Sequence, residues 1–196
     1  MRFSCLILLA SAALVTACTT PIAPGEITRF HLPERAAELG RGSIAIVPLD
    51  ETQLSTSGYA AFEQRLARIL IGQGYDVVNS AQNSDQIATI DYRLLDTRNA
   101  DDRAILTGGG PAAIGTGGSV GGTLTIPFGG SPQRVYCRLR VSINDRQQGD
   151  ALWEARGQSE AKPGTPEATP AACADKMLSA VFSDFPGRSG ETISVP

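Results

Sequence analysis

Residues 134–144 alternate apolar and polar side chains with scarcely a break. Val135, Cys137, Leu139, Val141 and Ile143 fall on one side, and Arg138, Arg140 and Ser142 on the other. Successive side chains of an extended strand point to opposite faces, so this run makes a strand with one dry and one wet face. A polar turn over 145–150 and a second run over 151–161, with Trp153 and Ala155 on the dry side, supply an antiparallel partner. A half-buried hairpin needs another layer to cover it, and the remaining elements are read as meeting that demand.

Two helices are available. Tyr59, Phe62, Leu66, Ile69 and Leu70 form one stripe on a 3.6-residue period, which predicts an amphipathic helix over 59–73. Ser57 is a candidate N-cap and Gly74 suits the left-handed position just beyond the end. The second helix is predicted over 171–185. Ala174, Met177, Leu178, Val181, Phe182 and Phe185 share a face, and Pro186-Gly187 stops it. Strands are predicted at 27–32, 43–48, 75–78 and 86–95. In the first of these, Thr28, Phe30 and Leu32 oppose Ile27, Arg29 and His31. Strand, helix, strand over 43–78 is a βαβ-like opening. The expected fold is an α/β (α+β) two-layer sandwich, with a mostly antiparallel sheet of about four to six strands and two main helices on one face.

With 42% apolar residues in 196, the chain can build one core of ordinary size, and it is neither a disordered tail nor a multi-domain assembly. Its 17 basic and 20 acidic residues are intermixed, which argues against a nucleic-acid partner.

The amino terminus carries an address. Arg2 precedes an apolar stretch from Leu6 to Val15, too short to span a bilayer but suited to a signal peptide over 1–17. Val15-Thr16-Ala17-Cys18 resembles the lipobox of bacterial lipoproteins, which implies lipid attachment at Cys18. Thr19, in place of Asp, implies by the same resemblance the outer membrane as destination, with the chain on its periplasmic face. Residues 18–26 are then the lipidated cysteine and a Pro/Gly/Thr tether, and 27–196 a single α/β domain. Cys5 leaves with the signal, so Cys137 and Cys173 remain. They are a candidate disulfide in an oxidising compartment, or two buried thiols acting as small hydrophobes.

A Gly-rich insert over 107–133 interrupts the pattern, and its composition predicts a flexible loop or a long hairpin with Thr123–Phe128 as a sticky patch. Within it Gly117-Gly118-Ser119-Val120-Gly121 matches the G-x-S-x-G nucleophile elbow in letters. No helix follows and the flanks are low-complexity glycine, so it is read as a chance match. His31 is the single histidine and has no triad context. Lys162 and Lys176 follow no glycine loop, which excludes a P-loop. Asp96, Asp101 and Asp102, interleaved with Arg98 and Arg103, lack the spacing of a calcium loop. No catalytic residue, metal site or cofactor is predicted. Arg134, Arg138 and Arg140 make a basic stripe on the wet strand face that could meet lipid headgroups or an acidic partner.

Taken in order, VTAC at 15–18, the SIAIVP strand, YAAFEQRLARILIGQGYDVV, the Gly-rich insert, RVYCRLRVSIND, ALWEARGQSEA and the closing FSDFPGRSGETISVP resemble the domain-of-unknown-function family numbered 4136, a group of bacterial lipoproteins. The resemblance implies a periplasmic α/β domain similar to the amino-terminal domains of TolB-like and curli-secretion-type lipoproteins, and no catalytic residues. The expected function is a lipid-anchored, non-catalytic interaction or structural module of the cell envelope. The alternative is a subunit of an oligomeric envelope channel or secretion assembly that uses the Gly-rich segment. Only Leu124, Ile126 and Phe128 would supply a lipid-facing strand for it.

Overall fold

The computed structural model describes residues 24–99 and 133–195. The expected signal segment, Cys18, the match at 117–121 and the expected sticky patch at 123–128 all lie outside them. The chain runs through β1 (Gly25–His31), β2 (Ser43–Pro48), α1 (Ser57–Gly72), β3 (Asp76–Val78), β4 (Gln86–Asp96), β5 (Val135–Asp145), β6 (Ala151–Ala161), α2 (Pro170–Val181) and β7 (Thr192–Val195). Among the described residues these strands form one seven-stranded sheet in the order β3-β2-β4-β5-β6-β1-β7. Pairing is parallel only for β2–β3 and β2–β4. The parallel corner is the βαβ unit that the opening strand, helix and strand predict. The α+β sandwich is therefore present, with more strands than the expected four to six.

The central hairpin pairs as the alternation requires, from Val135↔Ala161 to Ile143↔Trp153, with a register shift after Ile143. That shift leaves Leu152 buried beside Trp153. Val135, Cys137, Leu139, Val141 and Ile143 are all buried. Both helices lie on this dry face. From α1, Tyr59, Phe62, Leu66 and Leu70 enter the core; from α2, Cys173, Ala174, Met177, Leu178 and Val181 do. Removing each large side chain from water contributes about 1.5–3 kcal/mol, so the helix stripes and the strand face specify one another. The helices also meet each other, with Arg65 3.0 Å from Asp175 and donating to Ser179 Oγ at 2.8 Å.

Several boundaries differ from expectation. The N-cap of α1 is Thr56, whose Oγ1 accepts from the Tyr59 N–H at 3.3 Å, one residue before Ser57. Gly74 has the expected positive φ of 102°. Gly25 and Glu26, expected at the end of a tether, belong to β1 and pair with β7 and β6. The closing helix stops at Val181, and the chain turns so that Phe182 and Phe185 pack on Trp153 with ring centroids 5.1 and 5.2 Å away.

The dry face of β1 is the one carrying Ile27 and Arg29; Phe30 on the opposite side is 48% exposed. The buried arginine explains the early stop of α2. Its Nη1 donates to Ser183 O at 2.6 Å, and its Nη2 donates to Ala180 O at 3.1 Å and Ser183 Oγ at 2.9 Å. Carbonyls at a helix end have no intrahelical donor, and a cation there also meets the negative end of the helix dipole. Burial pulls the guanidinium below its ordinary value, an effect opposed by the nearby Glu191 and Asp184 carboxylates. Gly187, at φ 76°, lets the following turn pass against the same guanidinium, where a Cβ would collide.

Cys137 on β5 and Cys173 in the first turn of α2 are joined by a disulfide, with Cα atoms 6.1 Å apart and a sequence separation of 36. Closing a loop of that length restricts the unfolded chain, and the paired Cys→Ser variant should lose about 3–4 kcal/mol in urea unfolding. A smaller loss is expected at Gly157, where a Cβ would lie 2.7 Å from Ile27 Cγ1 and 2.8 Å from Met177 Cε. Gly157→Ala should cost about 1–3 kcal/mol, read by the same unfolding curve.

Candidate functional site

With both helices on one side, the other face of the sheet has no helix over it among the described residues. Strand register fixes which side chains it shows. One row runs Asp91–Arg140–Arg156–Thr28 from β4 through β5 and β6 to β1, and the next runs Arg93–Arg138–Gln158–Glu26. Beyond the first row come Thr89–Ser142–Glu154–Phe30, and beyond the second Leu95–Tyr136–Glu160. The centre of the face therefore holds four arginines from three strands. Carboxylates stand around them.

These charges are unevenly matched. Glu154 accepts from both Arg140, at 2.7 Å, and Arg156. Arg93 lies 3.9 Å from Asp91, at the limit of an ion pair. The side chain of half-buried Arg138 makes no hydrogen bond or ion pair among the described residues. Two like-charge pairs stand directly opposite each other, Arg93 against Arg138 and Arg140 against Arg156. Cross-strand pairs of one sign destabilise a sheet, so the arrangement is costly to the protein alone.

The surface is grooved over these residues. A depression of about 400 Å³ is lined by Arg93, Arg138, Arg140, Arg156, Glu26 and Asp91, among others. A second, of about 270 Å³, shares Asp91 and Arg140 with it and reaches Glu154 and the exposed Leu49. The third, of about 390 Å³, shares Arg156 and Glu154 and is walled by Phe30, Leu32 and Trp153. An arginine centre thus runs into an apolar shelf.

The expected basic stripe is only partly realised. Arg138 and Arg140 belong to this face, but Arg134 is 7% exposed, precedes β5 and lies 3.5 Å from Glu160. The structure adds Arg93 and Arg156, which the sequence alone did not single out. Each occupies a polar position in its own strand pattern, but only the pairing register puts both beside Arg138 and Arg140. Elsewhere, His31 Nε2 lies 3.2 Å from Gly187 O. The Ser189 hydroxyl is bound to the main chain of His31, not to its ring, so the two do not form a nucleophile–base pair. Asp96 holds Arg98 in a local turn, while Asp101, Asp102 and Arg103 lie outside the described residues. No group of three or more His, Cys, Asp or Glu among the described residues could hold a metal, and none of their helices is long and apolar enough to cross a membrane.

A helix-backed mixed sheet with one bare, charged face defines the class of domain. No family profile matches the chain. An uncharacterized protein of Zymomonas mobilis subsp. mobilis is 28% identical over 228 residues, covering 94% of this chain and 84% of that protein. Among solved structures, a PDZ domain protein from Parabacteroides distasonis superposes with a TM-score of 0.52 at 12% identity over 88% of this chain. That likeness is one of fold alone, and this chain spans 39% of the other's length. The PelC dodecamer from Paraburkholderia phytofirmans gives a TM-score of 0.47 at 13% identity, over 84% of this chain and 99% of that one.

The charge pattern sets opposite expectations for two neutral substitutions. Arg138→Gln removes the like charge opposite Arg93 and should leave the melting temperature unchanged or raise stability by up to about 1 kcal/mol. Glu154→Gln leaves Arg140 facing Arg156 without their shared carboxylate and should lower stability by about 1 kcal/mol. Thermal unfolding of the two variants side by side checks both signs.

Proposed function

We propose that the protein is a lipid-anchored, non-catalytic binding module of the cell envelope, tethered through Cys18 to the periplasmic face of the outer membrane. Its bare sheet face meets an envelope partner. The observation that carries the binding role is the face itself: the apolar helices are spent on one side, and the other is left grooved and lined with unevenly matched arginines. The lipobox-like VTAC at 15–18 supports the anchor, and the resemblance to the 4136 family belongs to the same proposal. β1 begins at Gly25, seven residues after Cys18. Even fully extended, that tether would hold the start of the sheet within about 25 Å of the lipid.

Cell fractionation tests the anchor. Cys18→Ala should move the protein from the membrane pellet to the soluble periplasm, and continued pelleting would end the lipid reading. A photo-crosslinking residue at Ser142, on the bare face, tests the surface against one at Arg68 on the exposed side of α1. Adducts in living cells should form from position 142 and not from 68; the reverse, or none from either, would remove the bare face as the binding surface.

A further inference from the structure

Resting on that reading, we infer that the groove over β5 and β6 takes a carboxylate-bearing peptide segment of a protein partner, with an apolar side chain of the same segment on the neighbouring shelf. Four arginines line the groove against Glu26 and Asp91, and the adjoining Glu154 engages Arg140 and Arg156, so the surplus positive charge falls on Arg138. Arg138 has its guanidinium donors free among the described residues, and a carboxylate is the planar group that those donors match. Such a ligand also separates Arg93 from Arg138 electrostatically, turning a cost of the free protein into affinity.

The surround narrows the occupant. Glu26, Asp91, Glu154 and Glu160 stand around the arginines on the same face. A broad, uniformly negative surface such as an anionic bilayer would meet these carboxylates as well as the arginines. A single acidic side chain meets only the centre. The chain's own Gly-rich stretch is no candidate, since the sequence from 104 to 133 contains neither Asp nor Glu.

The lattice gives a spacing. Phe30 lies two strands across and four residues along from Arg138. At about 4.8 Å per strand and 3.4 Å per residue, that is about 17 Å, the reach of about five extended residues. The segment therefore carries Asp or Glu about five positions from Phe, Leu or another large apolar residue, the second packing on Phe30 and Leu32.

The test is an array of octapeptides with Glu and Leu at separations of one to seven, each with a Gln counterpart, probed with the full lipidated chain in detergent. Binding should need Glu, peak near a separation of five, and fall at least about tenfold with Arg138→Gln. Arg138→Lys, which keeps the charge and loses the planar fork, should recover part of it. Equal binding of the Gln peptides, or indifference to Arg138→Gln in a protein that melts normally, overturns the inference. So does Arg138-dependent binding of the Cys18→Ala protein to phosphatidylglycerol vesicles, which would make the occupant a lipid surface. Self-association abolished by Arg138→Gln would make it a second copy and equally overturn the inference. Crosslinks from position 142 alongside a failed array would sink the acidic peptide and leave the binding face standing; absent crosslinks would remove the face itself.

Discussion

Burial of two helix stripes on one side of one sheet is the constraint from which the rest of the molecule follows. Met177, Leu178 and Val181 of α2 and Phe62, Leu66 and Leu70 of α1 are completely enclosed against alternate residues of β4, β5 and β6. A sheet has two faces, and the hydrophobic driving force is exhausted on the first. The second is free to carry charge, and it carries it in register. The Cys137–Cys173 bridge and the Arg29 guanidinium both fasten α2 to the sheet, one near the helix start and one at its end. The layer that creates the bare face is thus held at both ends by interactions other than apolar contact.

Arg29 shows how the interior accommodates a charge. A guanidinium with so little exposure is tolerated because its two terminal nitrogens donate to the Ala180 and Ser183 carbonyls and to the Ser183 hydroxyl at the end of α2. The turn after α2 wraps this side chain, and Trp153 donates to Pro186 O at 2.9 Å in the same segment. From there the chain reaches β7, which pairs with β1 and completes the sheet. A single buried cation therefore links the end of a helix, a turn and an edge strand.

Much of the fold was legible in one dimension because it depends on local periodicity. The alternation at 135–143 marked the dry face correctly, and the stripe from Tyr59 to Leu70 marked the buried side of α1. What escaped were features in which a distant partner overrides the local signal. β7 is a four-residue edge strand with no pattern of its own, formed because β1 offers a free edge. Phe182 and Phe185 continue the helical spacing of α2, yet the chain leaves the helix there to reach Trp153 and Arg29. The candidate site was half visible. Arg138 and Arg140 appear as wet-face residues of one strand, whereas Arg93 and Arg156 join them only through pairing.

By itself the sequence determined which residues make strands and helices, which side of each is apolar, and that a lipobox-like cysteine follows a signal-like stretch, since these depend on neighbours a few positions apart. Only the tertiary structure decided that both helices share one face, that Arg29 is buried while Phe30 is exposed, and that four arginines from three strands converge. Those outcomes depend on register and layer order, and the β4–β5 register sets Arg93 against Arg138 across 44 intervening positions. Strand pairing is fixed by the sum of many side-chain contacts over the whole sheet, so no short window of residues contains it.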